Sequence, residues 1–141
     1  MKTLKLFLLL LISTSGMQLA SAQTYKFQSK NFSVMEKTPK GTWGNWSDLQ
    51  DAGIVITVDT NKNRIVVYSQ EIQLYTINNY GEREENDSDI IYPFSCQDVD
   101  GEKFTISLIT RKSQNYRKQL YINHKDVIVV YNIELVEEKQ Q

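Results

Sequence analysis

The stretch that decides the fold is IIYPFSCQDVDGEKFTISLITR, residues 90–111. Apolar side chains recur at every second position on both sides of Asp100-Gly101, as in strands with one buried face. The inward positions predicted from this alternation are Tyr92, Phe94, Cys96, Phe104, Ile106 and Leu108. Asp-Gly between two such segments predicts a type I′ hairpin, because both central residues of that turn need a positive φ.

The same period-2 pattern runs outward through most of the chain, and helical periodicity is absent. Further extended segments are predicted at residues 25–36, 42–47, 53–59, 64–69, 71–78, 118–122 and 127–135. In the segment 71–78, Ile72 and Leu74 share one face. Short turns at 38–41, 60–63 and 123–126 join the segments, and short connections favour antiparallel neighbours.

Some of these segments are apolar on both faces, as Val55 beside Ile54 and Ile56 illustrates. Two-sided burial indicates a closed sheet rather than a flat exposed one. Pro93 lies inside a predicted strand, so that strand is expected at an edge or bulged there. We therefore predict an all-β fold, a single antiparallel meander of about eight strands closed as a small barrel or sandwich, without substantial helix.

The first 22 residues have the three parts of a secretory signal peptide. Lys2 and Lys5 precede an apolar run at 6–12, and Ala20-Ser21-Ala22 supplies the small residues that a signal peptidase recognises. The run is too short to span a bilayer, which takes about 20 residues. We predict cleavage before Gln23, a single domain at 23–141, and a periplasmic or extracellular location.

The charge of the predicted mature chain limits its partners. Without the two leader lysines, 14 basic residues face 17 acidic ones, a net charge of −3. Nucleic acids and anionic membranes attract basic surfaces, so neither is an expected partner. No second apolar run is long enough for a membrane helix, and membrane insertion of the mature chain is not expected.

The inventory of reactive side chains argues against an enzyme. His124 is the only histidine and falls in a predicted turn, and Cys96 is the only cysteine and falls on a predicted core face. Nucleophilic triads and zinc sites need several such residues together. We predict no catalytic residues, no metal and no cofactor. Calcium binding by the acidic loop at 81–89 stays open.

Aromatic residues give the one positive indication of a binding site. Trp43 and Trp46 lie three positions apart, which places them on opposite faces if the segment is extended. We predict a buried Trp43 and an exposed Trp46 that contacts a protein, glycan or small molecule. The Asn-x-Ser sequons at Asn31, Asn45 and Asn86 matter only in a eukaryotic secretory pathway.

Two resemblances bear on these expectations. Gly41-Thr42-Trp43 resembles the Gly-x-Trp element near the start of lipocalin-type barrels, which implies a small-ligand carrier. The chain differs from lipocalins in its long extended stretch before this element and in having no C-terminal helix. Its Asn/Lys/Ile/Tyr-rich composition and its leader resemble small exported β proteins of Bacteroidota, a resemblance that implies no functional residues.

The function expected from the sequence is therefore non-enzymatic. The leading hypothesis is an exported binding or protein-interaction domain. The first alternative is a lipocalin-like carrier of a small ligand, and the second is a hydrolase with an unfamiliar site. A wide apolar cavity would favour the carrier, and a filled core with an exposed aromatic patch would favour the interaction domain. Ligand, partner and oligomeric state stay open.

Overall fold

The computed structural model describes residues 23–140, with side chains described over 23–136. The predicted signal peptide, 1–22, lies outside this range. The strands are β1 (Gln23–Glu36), β2 (Gln50–Asp51), β3 (Val55–Asp59), β4 (Arg64–Tyr68), β5 (Ile72–Tyr80), β6 (Glu84–Glu85), β7 (Asp89–Gln97), β8 (Lys103–Arg111), β9 (Arg117–Asn123) and β10 (Val127–Gln140). In this part of the chain the one helix is a 3₁₀ turn, Lys112–Gln114, and no helix is long and apolar enough to cross a membrane.

The strands form one antiparallel sheet that closes on itself. Neighbours follow the order β10-β9-β8-β7-β5-β4-β3-β1, and β1 pairs with β10 along its whole length, which closes an eight-stranded barrel. The short β2 and β6 add to β1 and β7 outside this ring. The all-β prediction is confirmed, and of its two forms the barrel is the one observed.

Alternation along each strand sends one set of side chains into the barrel. The most deeply buried members are Phe27, Ile56, Ile65, Val67, Cys96, Ile106 and Leu120. Each predicted inward residue of 90–111 lies on the interior face. The deep burial of so many branched side chains is the main stabilising contribution, at about 25 cal/mol per Å² of apolar surface.

Two strands are irregular. Strand β1 shifts register between Lys26 and Phe27 and again between Ser29 and Asn31. Pro93 pairs with Ser107 of β8 and, on its other side, faces the gap between the end of β5 and the start of β6. Its carbonyl accepts the Gly81 N–H at 2.9 Å. Pro93 was predicted at a sheet edge or a bulge, and it lies instead at this gap between β5 and β6. No neighbouring strand there needs a hydrogen bond from the backbone nitrogen of Pro93, which carries no hydrogen.

The shared face of Ile72 and Leu74 points away from the core. Ile72 is 67% exposed and Leu74 is 36% exposed, whereas Tyr75 and Ile77 are buried inside the barrel. Strand β5 is apolar at both even and odd positions, so its sequence pattern does not decide which face is inward. The register with β4 decides it, because Tyr75 lies opposite Ile65.

The β7–β8 connection is a hairpin, but its turn is not type I′. Gly101 has φ +83°, while Asp100 is not among the residues with positive φ. Asp98 N donates to Glu102 O and encloses a three-residue loop, the form in which a left-handed glycine follows the turn. The Asp98 carboxylate accepts the N–H groups of Asp100 and Glu102, both at 2.9 Å. The carboxylate that holds the turn is therefore that of Asp98 rather than of Asp100.

Cys96 is predicted to be an unreactive thiol. It is 1% exposed on the core face next to Phe94, and burial raises the pKa of the thiol to about 12. Because the pKa of the thiol is higher in the folded than in the unfolded protein, burial of the neutral thiol stabilises the folded state fully below about pH 9. This stabilisation is lost as the pH rises toward 12. Since the thiolate is the reactive form, a thiol reagent at pH 8 should label the unfolded protein rapidly and the native protein slowly. Rapid native labelling, or a disulfide-linked dimer, would contradict this.

Candidate functional site

The two ends of the barrel differ in how well they are filled. We call lower the end that carries the β3–β4 turn at 60–63 and the β8–β9 turn at 112–116, and upper the end with the hairpins at 98–102 and 124–126. The lower end contains a cavity of about 320 Å³. Small-molecule sites in proteins are commonly about 300–1,000 Å³, so this cavity has the size of a small one.

Aromatic rings fill the interior near the upper end. The rings of Tyr75 and Phe104 meet edge to face with centroids 5.0 Å apart, and Phe104 lies 4.5 Å from the His124 ring. The Tyr75 hydroxyl donates to Gln73 Oε1 at 2.6 Å, and burial raises the pKa of Tyr75 to about 12. The barrel interior is thus packed above the lower cavity.

The lower cavity, which we call the cup, is lined mainly by apolar surface. Its buried base includes Phe27, Val58 and Phe94. Its remaining lining is Tyr25, Thr60, Tyr80, Tyr92, Leu108, Thr110, Lys118 and Leu135. Rings and aliphatic side chains arranged around one opening form a surface suited to an apolar molecule.

The tyrosine hydroxyls of the cup have partners on the protein. Tyr25 donates to Gln23 Oε1, and Tyr80 donates to Asn63 Oδ1 at 2.7 Å. Tyr92 accepts the Arg83 Nε–H at 3.1 Å, and the same guanidinium lies 5.8 Å from the Tyr92 ring centre. Because these bonds engage the polar ends of the rings, the ring surfaces are left to line the cup.

One positive charge belongs to the cup lining. Lys118 is the inward residue of β9 nearest the lower end, directly opposite Thr110 of β8. Its ammonium donates to the Thr110 hydroxyl at 3.1 Å. Thr110 is 6% exposed and Lys118 is partly buried, so the pair belongs to the wall of the cup.

Ion pairs hold the acidic loop next to the cup. Glu85 contacts Arg83 at 2.7 Å and Lys112 at 2.8 Å, and Asp89 contacts Arg111 at 3.1 Å. The hydrogen bonds from Lys112 and Arg83 lower the pKa of the Glu85 carboxyl. Within the described residues no group of three or more His, Cys, Asp or Glu is placed to hold a metal ion.

The predicted site residues Trp43 and Trp46 lie away from the cup. Both indoles are 42% exposed, so the prediction of a buried Trp43 is wrong and that of an exposed Trp46 is confirmed. Trp43 bridges Lys37 in a small hairpin that follows β1, and the Lys37 ammonium lies 5.2 Å from its ring. The barrel strand β1 ends before the Gly-x-Trp element, so this element contributes no core residue. Trp46 meets Tyr121 edge to face on the outer wall.

His124 lies where the sequence predicts, at the turn between β9 and β10. Its backbone N–H donates to Val127 O, and its ring Nε2 lies 3.3 Å from Glu102 Oε2. An open groove of about 530 Å³ runs beside it near the upper end. Its lining includes Cys96 and Phe104 and a row of polar residues across three strands, Ser95, Thr105 and Asn123. This groove is wide open, whereas the cup is a recess in the barrel end.

Comparison with protein-family models, with curated proteins and with solved structures finds no match to this chain. The geometry of the cup is therefore the basis for assigning a function.

Proposed function

We propose that the domain binds a small, mainly apolar molecule in the cup at the lower end of the barrel. The observation that carries the proposal is the cavity of about 320 Å³ with its lining of aromatic and aliphatic side chains. At about 30 Å³ for each non-hydrogen atom, the volume a water molecule takes in the liquid, it accommodates a ligand of about ten such atoms. This corresponds to the small-ligand carrier among the expected functions.

The contrast between the two ends supports a binding role. In the upper interior, aromatic side chains such as Tyr75 and Phe104 pack against each other. Side chains of this size can therefore fill the interior of this barrel. At the lower end three half-exposed apolar residues, Tyr80, Tyr92 and Leu135, surround an opening. Exposed apolar surface gathered in a recess is typical of ligand sites.

The outer wall supports a second candidate, an interaction domain. Tyr68 and Ile72 lie directly opposite each other on β4 and β5, and are 48% and 67% exposed. Large apolar side chains in cross-strand contact on a solvent face are typical of protein contacts. A binding role for Trp43 and Trp46 stays a prediction.

The proposal includes export, with the mature chain beginning at Gln23. It is supported by the charged, apolar and small-residue segments of the leader. N-terminal sequencing of the protein from the periplasm or medium should return the sequence that starts Gln23-Thr24-Tyr25. A recovered protein that keeps residues 6–12 would contradict export by cleavage.

Titration with 1-octanol, which has an apolar chain and a neutral end, tests the binding proposal. Isothermal titration calorimetry should show saturable binding to the wild-type protein. The variant Leu108→Trp, which fills the cup, should weaken binding at least tenfold. The matched variant Leu74→Trp, on the outer wall, should bind as the wild type does.

A folded Leu108→Trp protein that binds as the wild type does would overturn the proposal, as would the absence of saturable binding to the wild type. If Leu108→Trp does not fold, Leu135→Trp narrows the opening at a half-exposed position and serves the same purpose. Unchanged binding by folded Leu135→Trp would then count against the cup.

A further inference from the structure

We infer that the ligand of the cup is an anionic amphiphile, with its charged end held by Lys118 and Thr110 and its apolar body in the cup. This inference rests on the proposed function and specifies the ligand class. It starts from the position of Lys118, which lines the cup together with apolar rings.

Lys118 occupies a face of β9 whose other inward residues are apolar. In β9 it shares the interior face with Leu120 and Ile122, which are 0% and 4% exposed. Lysine is among the residues least often found inside proteins, because taking its charge out of water is unfavourable. An inward lysine at the open end of a recess therefore calls for a group that interacts with its charge.

Among the described side chains, 23–136, the partner of this charge is neutral. Two other cations near the lower end pair with carboxylates, Arg111 with Asp89 and Lys112 with Glu85. Arg117, the neighbour of Lys118, donates instead to the neutral side chains of Gln114 and Asn132. Among the side chains of residues 23–136, Lys118 forms no ion pair, and its ammonium donates to the Thr110 hydroxyl. That hydroxyl accepts the bond, which leaves its own proton available to a second acceptor.

The chemistry of a matching ligand follows from this pair. An ammonium and a hydroxyl together donate to an oxyanion, and hydrogen bonds between charged groups are stronger than neutral ones. The apolar body would lie over Phe27 and Phe94, with the anionic end beside Lys118. Octanoate has about the ten non-hydrogen atoms that the cup accommodates, and serves as the probe.

The experiment compares octanoate with 1-octanol, which share a chain and differ in the charged end. Wild-type protein should bind octanoate about tenfold more tightly, the factor that corresponds to 1.4 kcal/mol, the low end for hydrogen bonds to charged groups. Lys118→Met, which keeps the aliphatic stem, should lose this preference, so that the ratio of its affinities for the two probes falls to about one. Lys118→Arg should retain the preference.

Lys103→Met is the matched control, because Lys103 is exposed and lies near the upper end of β8. It should bind both probes as the wild type does. Equal wild-type affinities for the two probes, or an unchanged octanoate preference in Lys118→Met, would overturn the inference and leave the proposed function standing. If neither probe binds the wild type, the proposed function itself fails.

Discussion

Replacing Phe27 by alanine is expected to lower the free energy of unfolding by about 3–5 kcal/mol, the usual cost of removing a buried aromatic side chain. The ring is 2% exposed and stacks on Tyr25 with centroids 6.5 Å apart. Its loss removes apolar burial and leaves a void that the rigid barrel fills only in part. Urea unfolding, followed by circular dichroism, measures the change.

Tyr68→Ala is the matched control for Phe27→Ala. Tyr68 is an aromatic residue of the same barrel, but its ring lies on the outer wall and is 48% exposed. Apart from the loss of its partial burial, replacing Tyr68 should lower the free energy of unfolding by well below about 1 kcal/mol. Equal destabilisation of the two variants would contradict the position of Phe27 in the barrel interior.

Replacing Gly101 by valine is expected to lower the free energy of unfolding by about 1–3 kcal/mol, the range for a residue held in a sparsely populated backbone region. Gly101 has φ +83°, a conformation that a β-branched residue strongly disfavours. A Cβ at this position meets no atom within 4 Å, so the cost comes from the backbone and not from a clash. Thermal unfolding measures it.

Gly101→Asn distinguishes backbone strain from the loss of glycine as such. Asparagine tolerates the left-handed region, as Asn63 does at φ +54° in the β3–β4 turn of this chain. The asparagine variant should therefore lie between wild type and Gly101→Val. Equal melting temperatures for all three proteins would refute the hairpin geometry at residues 98–102.

The fold class was predictable because alternation and turn residues are local signals. Residues 90–111 predicted the central hairpin, and the structure has it. The turn type was wrong because Asp100-Gly101 matches two hairpin forms. The longer form depends on the Asp98 carboxylate, which accepts the backbone N–H groups of Asp100 and Glu102. Asp98 lies outside the Asp100-Gly101 pair from which the turn was predicted.

The inward face of β5 was not predictable, because Ile72 and Leu74 compete with Tyr75 and Ile77. Both sets are apolar with the same period, and the choice is made by pairing with β4, which is a long-range property. The register shift between Ile77 and Asn79 adds a second difficulty. It changes the alternation, so that Tyr80 lines the cup.

Only part of the cup could be predicted from the sequence. Alternation places Lys118 on the same face as Leu120 and Ile122, so an inward charge could have been found from β9 alone. The recess could not, because it is assembled from seven strands whose lining residues spread from Tyr25 to Leu135. Trp43 was misassigned because a three-residue resemblance placed it on a barrel strand, whereas β1 ends at Glu36.

Ligand binding in the cup is tested most directly by a map of amide chemical-shift changes in ¹H–¹⁵N spectra of the protein titrated with 1-octanol. We expect saturable changes that cluster at cup residues on different strands, such as Phe27, Phe94 and Leu108, while the outer-wall residues Ile72 and Leu74 stay unchanged. Changes confined to the outer wall, or no saturable change at any residue, would contradict binding in the cup.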